Sequence, residues 1–257
     1  MNPTHSSAPR PAVQRTHAFT LIELLVVISI IAVLAGLVVG LAPMANKRMK
    51  EARIRTELAA LVGAIEAYKA KFGVYPPDNY DPVRKQSNPA RHGLFYELTG
   101  VLVDNQQRVL LPADDGITLS PDVFLNYFGR EGVLNSAPRI PGTQADQARL
   151  DREQKKRLMR REFKPGQFAE IFRNRSPGYV DLEVLAVGYS GDASGKKGSG
   201  VPWPPAVAPN QHPIPTNPGL NPWRYVSTNP TNNPGRFDLW AELPTGRTSP
   251  PLIIGNW

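Results

Sequence analysis

Ala18-Phe19-Thr20-Leu21-Ile22-Glu23-Leu24-Leu25-Val26-Val27-Ile28-Ser29-Ile30-Ile31-Ala32-Val33-Leu34-Ala35-Gly36-Leu37-Val38-Val39-Gly40-Leu41-Ala42 is an apolar block with one carboxylate near its start. From Phe19 to Ala42 there are 24 residues, and Glu23 carries their single charge. As a helix rising roughly 1.5 Å per residue they cover about 36 Å, against a hydrocarbon core of about 30 Å. Sixteen of the 24 are Phe, Leu, Ile or Val. Each favours insertion by roughly 0.3 to 0.6 kcal/mol, and together they outweigh a cost of about 3 kcal/mol for one ionised group. Residues 19–42 therefore read as a transmembrane helix. The alternative, a buried core helix, would need an unusually long run without polar relief.

Residues 1–18 ahead of the block hold Arg10, Arg15 and His17, three prolines and no Asp or Glu, the composition of a basic, unstructured leader. A secretory signal ends its apolar region at a small-residue cleavage site, whereas here the small residue, Ala18, precedes the apolar block. Glu23 is the anomaly within the block. An ionisable group on a lipid-facing helix is costly and normally marks a site, and no basic residue lies within reach along the helix. The bland alternative is a carboxylate that snorkels to the interface.

The run Phe19-Thr20-Leu21-Ile22-Glu23-Leu24-Leu25-Val26-Val27-Ile28 resembles the N-terminal processing and methylation signature of type IV pilins and of the pseudopilins of type II secretion. The resemblance implies cleavage between Ala18 and Phe19 by a prepilin peptidase, N-methylation of Phe19, and a subunit-assembly role for Glu23, the fifth residue of the mature chain. It implies a single-pass inner-membrane protein with the leader cytoplasmic and residues 43–257 periplasmic. It also implies as partners other copies of the chain in a fibre, the inner-membrane secretion platform, minor pseudopilins and membrane lipid. One position departs from the family pattern: the residue before the cut is usually Gly, and here it is Ala18. The charges argue for the opposite topology, since Lys47, Arg48, Lys50, Arg53 and Arg55 outnumber Arg10 and Arg15. The cytoplasmic leader is thus what the resemblance implies, not what the charges say.

Beyond the block the helix is expected to continue. Ile54, Leu58, Leu61, Val62, Ile65, Tyr68 and Phe72 fall at spacings of three and four, with charged residues on the other faces. Pro43 at the junction is expected to kink it, and Gly73 before Val74-Tyr75-Pro76-Pro77 to end it. A helix over 19–72 would be roughly 80 Å long. The stripe could instead serve a coiled coil, but it lacks a sustained heptad. The segment Tyr68-Lys69-Ala70-Lys71-Phe72-Gly73-Val74-Tyr75-Pro76 again resembles the end of the pseudopilin helix.

Short helices are expected at Gly93–Leu98 and at Pro121–Phe128, the second capped by Ser120. Asp114-Asp115-Gly116 reads as a turn, without the alternating oxygen ligands of a calcium loop. Residues 143–164 form a charged insertion with a basic helix over 147–162. It is read as a solvated arm, with a partner-docking surface or a nucleic-acid contact as alternatives; nucleic acid is the least favoured because no aromatics are interleaved. Val180–Tyr189 alternates as a strand. Gly191-Asp192-Ala193-Ser194-Gly195-Lys196-Lys197 falls short of a phosphate-binding loop, and 200–234 is a Pro- and Asn-rich loop.

The C-terminal stretch 221–257 reads as a β-sheet: Asn221–Ser227, Gly235–Glu242 and a closing Ile253-Ile254-Gly255-Asn256-Trp257. Pro222-Trp223 with Tyr225-Val226, then Phe237-Asp238-Leu239, then Ile254-Gly255-Asn256-Trp257 is similar to the major pseudopilin of type II secretion. That resemblance implies calcium in the loop after the Phe-Asp-Leu strand, yet Glu242–Pro251 contains no Asp and one acid, Glu242. No metal and no other cofactor are expected. Trp223, Trp240 and Trp257 read as core residues. His5, His17, His92 and His212 are scattered, no nucleophile motif is present, and no enzyme is expected. Without cysteine the chain has neither disulfides nor thiolate metal sites. The net charge of +8 is a solubility trait rather than a sign of a polyanionic partner.

The expected architecture is α+β with a pilin-like fold: a long N-terminal helix packed through its outer half on a small antiparallel sheet. The expected function is that of a structural subunit of a type II secretion pseudopilus. The alternative is a surface type IV pilin for adhesion, motility or DNA uptake.

Overall fold

A computed structural model describes residues 19–83, 85–110, 118–164, 166–171, 182–187, 221–243 and 250–257, with backbone alone at 38–44, 118, 144, 170 and 171. The chain forms two units, Met1–Met49 and Lys50–Trp257. Helix α1 (Leu21–Phe72, 52 residues) begins in the first and ends in the second. The leader 1–18, the turn at 114–116, the tract 191–197 and residues 200–220 and 244–249 of the predicted loops lie outside the described residues, as does the side chain of Pro43 with its expected kink.

In the first unit, α1 starts two residues later than the apolar block, because Thr20 stands outside the helix as its cap. The apolar side chains that follow are exposed, among them Leu21 at 82%, Ile22 at 66% and Val33 at 63%. Among the described residues no helix is long and apolar enough to cross a membrane; side-chain description of the apolar run stops at Leu37.

In the second unit, the stripe at helical spacing finds its core. Ile54, Leu58, Leu61, Ile65 and Tyr68 are buried, joined by Ala64, with Val62 and Phe72 half-buried. Their partners in one cluster include Trp223, Tyr225, Leu239 and Ala241, so the stripe is consumed within the chain and leaves no seam for a coiled coil. Gly73 closes the helix at φ 78°, a left-handed conformation that only glycine adopts at little cost, and its N–H bonds the Lys69 carbonyl at 2.9 Å.

The chain then forms α2 (Leu94–Thr99), β1 (Val101–Val103), β2 (Val109–Leu110), β3 (Thr118–Leu119), α3 (Pro121–Phe128), β4 (Ser136–Pro138) and α4 (Gln144–Arg157). It continues with β5 (Phe168–Ile171), β6 (Leu182–Leu185), β7 (Arg224–Val226), β8 (Asp238–Leu243) and β9 (Leu252–Gly255). Among the described residues the strands form three small sheets: β3-β2-β1-β4, β5-β6 and β7-β8-β9. Every pairing is antiparallel except β1 with β4, which is parallel, so the single antiparallel sheet of the sequence reading becomes three, one of them mixed.

Several local expectations are corrected. Ser120 occupies the cap position of α3, but its hydroxyl makes no cap bond; its carbonyl accepts from Val123 N–H at 3.0 Å instead. The charged helix ends at Arg157, and residues 158–164 form neither helix nor strand. Nor is it a free arm: Leu158 is buried with Leu102 and Ala137, and Arg139 at the end of β4 reaches Asp151 at 3.4 Å. β6 does not alternate, since Leu182, Glu183, Val184 and Leu185 are all buried, the mark of a strand covered on both faces. Trp223 is fully buried and Trp240 half-buried, but Trp257 is 51% exposed, its ring lying edge-on to Trp240 at 5.8 Å.

Candidate assembly site and the closure of the C-terminal sheet

Phe19, the expected mature N-terminus, is 84% exposed just outside α1. Thr20 stands at the cap position and Glu23 at the third helical position, and the two satisfy each other. The Glu23 carboxylate accepts from Thr20 N–H at 2.9 Å and from the Thr20 hydroxyl at 2.8 Å, and Glu23 N–H donates to Thr20 Oγ1 at 3.3 Å. This is a reciprocal capping box, which fills N–H groups that the first helical turn would otherwise leave bare. The sequence reading named Glu23 and passed over Thr20. The signal was nonetheless present, a Thr three residues before a Glu at the head of an apolar run. Ala18, the other half of the expected cleavage site, lies outside the described residues.

The second unit holds polar groups where they organise the sheet. Arg224 of β7, with a side chain 5% exposed, directs Nε to Glu242 Oε1 at 2.9 Å, and Nη1 to Asn221 Oδ1 at 3.4 Å and the Pro222 carbonyl at 3.3 Å. Burial lowers the Arg224 guanidinium to about 10, opposed by the Glu242 charge. Asn221 Nδ2 donates to the Glu242 carbonyl at 2.7 Å, so both polar ends of Glu242 are held. Asp238 accepts from the main-chain N–H groups of Asn232 at 2.8 Å and Asn233 at 2.9 Å and from both of their side-chain amides. Asp78 likewise accepts from Ser227 N–H, Thr228 N–H and the Thr228 hydroxyl.

Three titratable groups sit on the same fold. His92 is buried and far from unaccompanied: Nε2–H donates to the Trp223 carbonyl at 2.9 Å, and Nδ1 accepts the Leu94 N–H at 3.4 Å. Burial drives it down to about 4, opposed by the Trp223 carbonyl and the Asp78 charge. Glu57, on the face of α1 toward Trp223, is pushed up to about 7 by burial, against the Trp223 N–H at 3.3 Å and the charges of Arg161 and Arg53. Glu97, 2% exposed, accepts from the Tyr68 hydroxyl at 2.8 Å and from Leu134 and Asn135 N–H; its burial raises its carboxyl. Through these bonds the three groups tie α1, α2 and β7 and their flanking segments together.

Among the described residues no group of three or more His, Cys, Asp or Glu could hold a metal. The acids that might have done so already face N–H, O–H or guanidinium donors, whose hydrogens occupy the lone pairs a cation needs. No curated protein and no solved structure matches the chain. The family described as the prokaryotic N-terminal methylation motif matches residues 14–39, which include Ala18, Phe19, Thr20 and Glu23. The chain thus carries the signature of type IV pilins and pseudopilins, and with it the mark of a type IV pilin-like substrate of prepilin peptidase.

Proposed function

We propose that this chain is a structural subunit of a type II secretion pseudopilus. In this reading the peptidase cuts between Ala18 and Phe19 on the cytoplasmic side and methylates Phe19. The helix over 19–42 anchors the subunit in the inner membrane until it is drawn into a fibre. The observation that carries the reading is the methylation motif over residues 14–39, placed at the head of a helix whose apolar side chains are exposed.

The chemistry at Glu23 follows from the capping box. In the uncut chain Phe19 N is an amide, and among the described residues the carboxylate is engaged by Thr20. Cleavage creates an ammonium one residue before Thr20, and in low dielectric a carboxylate gains far more from an ammonium than from neutral donors. The freed amine of Phe19, from the same or a neighbouring subunit, then competes for Glu23 and fixes subunit register.

We favour the pseudopilus over a surface pilin because the C-terminal runs Phe237-Asp238-Leu239 and Ile254-Gly255-Asn256-Trp257 resemble the major pseudopilin and the chain has no cysteine for a surface pilin's disulfide loop. The direct test is N-terminal sequencing of the membrane-extracted protein. Methyl-Phe19 is the expected first residue; an intact Met1 in a protein that still supports export would reject the reading. Loss of export on deletion, without loss of surface filaments, separates the pseudopilus from the surface pilin.

A further inference from the structure

We infer that Arg224 is an internal cation that closes the C-terminal sheet, so that the sheet forms without a divalent metal. The resemblance to major pseudopilins implies calcium in the loop after the Phe-Asp-Leu strand; residues 244–249 of that loop lie outside the described residues and contain no acid, and the described acids near it do not fit a cation. Calcium takes six to eight oxygens at roughly 2.3–2.6 Å, from carboxylates, amide and main-chain carbonyls. Oxygens of all three kinds are gathered here: Glu242 Oε1, Asn221 Oδ1 and the Pro222 carbonyl. They are gathered around a guanidinium, at 2.9, 3.4 and 3.3 Å.

The guanidinium is suited to this place. Its donors are fixed in one plane and it keeps its charge when buried, so it can hold acceptors from β8 and from the segment leading into β7 at once. Asn221 and Pro222 lead into β7, while Glu242 lies near the end of β8, where the loop to β9 begins. The side chain of one residue thus ties the approach to β7 to the end of β8. A second cation at Glu242 would stand beside the Arg224 charge in a half-buried site and be repelled. Neither neighbouring acid offers another place, since Asp238 and Asp78 are each encircled by donors from the loop 227–233.

The inference concerns the sheet alone and stands whether or not the chain serves secretion. It is tested by thermal unfolding of the full-length chain in detergent, followed by tryptophan signals, in millimolar calcium and in excess EGTA. The expected result is one unfolding midpoint in both; a midpoint several degrees higher in calcium would overturn the inference. Arg224→Gln, uncharged and of similar length, is expected to lower the midpoint by roughly 10 °C, because it strands the half-buried Glu242 carboxylate. An unchanged midpoint would equally overturn it. Should Arg224→Gln not fold, Glu242→Gln and the double replacement Arg224→Met with Glu242→Met decide the matter. The double variant is expected to recover most of what either single loses, and a double loss equal to the sum of the singles excludes a direct pair.

Discussion

At the head of α1, Thr20 and Glu23 each complete the other, so removing either has a separable consequence. Thr20→Ala costs the helix start about 1 kcal/mol and takes the hydroxyl donor from the carboxylate, leaving it the main-chain N–H of residue 20. Glu23→Ala keeps the apolar side chains, so the protein is expected in the membrane fraction with a sharply reduced yield of sedimentable fibres; wild-type fibre yield from that variant would exclude the assembly role. His92 and Glu57 oppose one another in pH. Held down to about 4 from 6.5, His92 binds fewer protons folded than unfolded; its stabilisation is complete above pH 6.5 and is lost as pH falls through that window, on the order of 3 kcal/mol. Glu57, raised to about 7 from 4.5, contributes stability that is complete below pH 4.5 and lost as pH rises through 7. Glu57→Gln removes the second slope, so the loss of stability on acidification from pH 6.5 to 4.5 is expected to steepen. Urea midpoints across that range check it, and a profile parallel to wild type would remove Glu57 from the account.

Between elements, the segment after α4 is clamped to α2 by the Asn135 side chain and by a main-chain bond from Arg161 N–H to the Leu98 carbonyl at 2.9 Å. Asn135 Nδ2 donates to the Glu97 and Met159 carbonyls at 2.8 and 2.6 Å, and Met159 N–H returns to Asn135 Oδ1 at 3.1 Å. Gly100 lets that segment approach: it holds φ 72°, and a Cβ there would stand 2.7 Å from the Met159 carbonyl oxygen. Gly100→Ala is therefore expected to cost at least about 2 kcal/mol, read as a drop in urea midpoint with unchanged slope. Tyr225→Phe isolates a second tie, the 2.7 Å bond from the Tyr225 hydroxyl to the Pro76 carbonyl, and is expected to cost about 1 kcal/mol. The helix stripe and the C-terminal strands were legible because period and aromatic content are local properties. The strand pairs over 101–138 were not, since Val109–Leu110 and Thr118–Leu119 are too short to show alternation. Arg224 was invisible for a different reason: a cation in a strand is ordinarily solvated, and only the pairing of β7 with β8 brings Glu242 to it.

For the molecule as a whole, the methylation motif and the packed core occupy different units, residues 14–39 in Met1–Met49 and the core in Lys50–Trp257. Gly100→Ala, though destabilised in the second unit, is expected to lose its leader at the wild-type rate; mass spectrometry of the membrane fraction shows it, and accumulation of uncut chain would refute the separation. Motif and core were also legible to different degrees. A ten-residue signature suffices to read Phe19 and Glu23, whereas the core depends on pairs such as Glu57 with Trp223, 166 positions apart. The same long separation has a consequence during synthesis. The ribosome delivers the helix early, yet the buried face from Ile54 to Tyr68 shares its core with Trp223, Tyr225 and Leu239, so that core is incomplete until those residues have been translated. Throughout that interval part of the core face stays unburied, so the chain behind it is not yet locked into the finished fold.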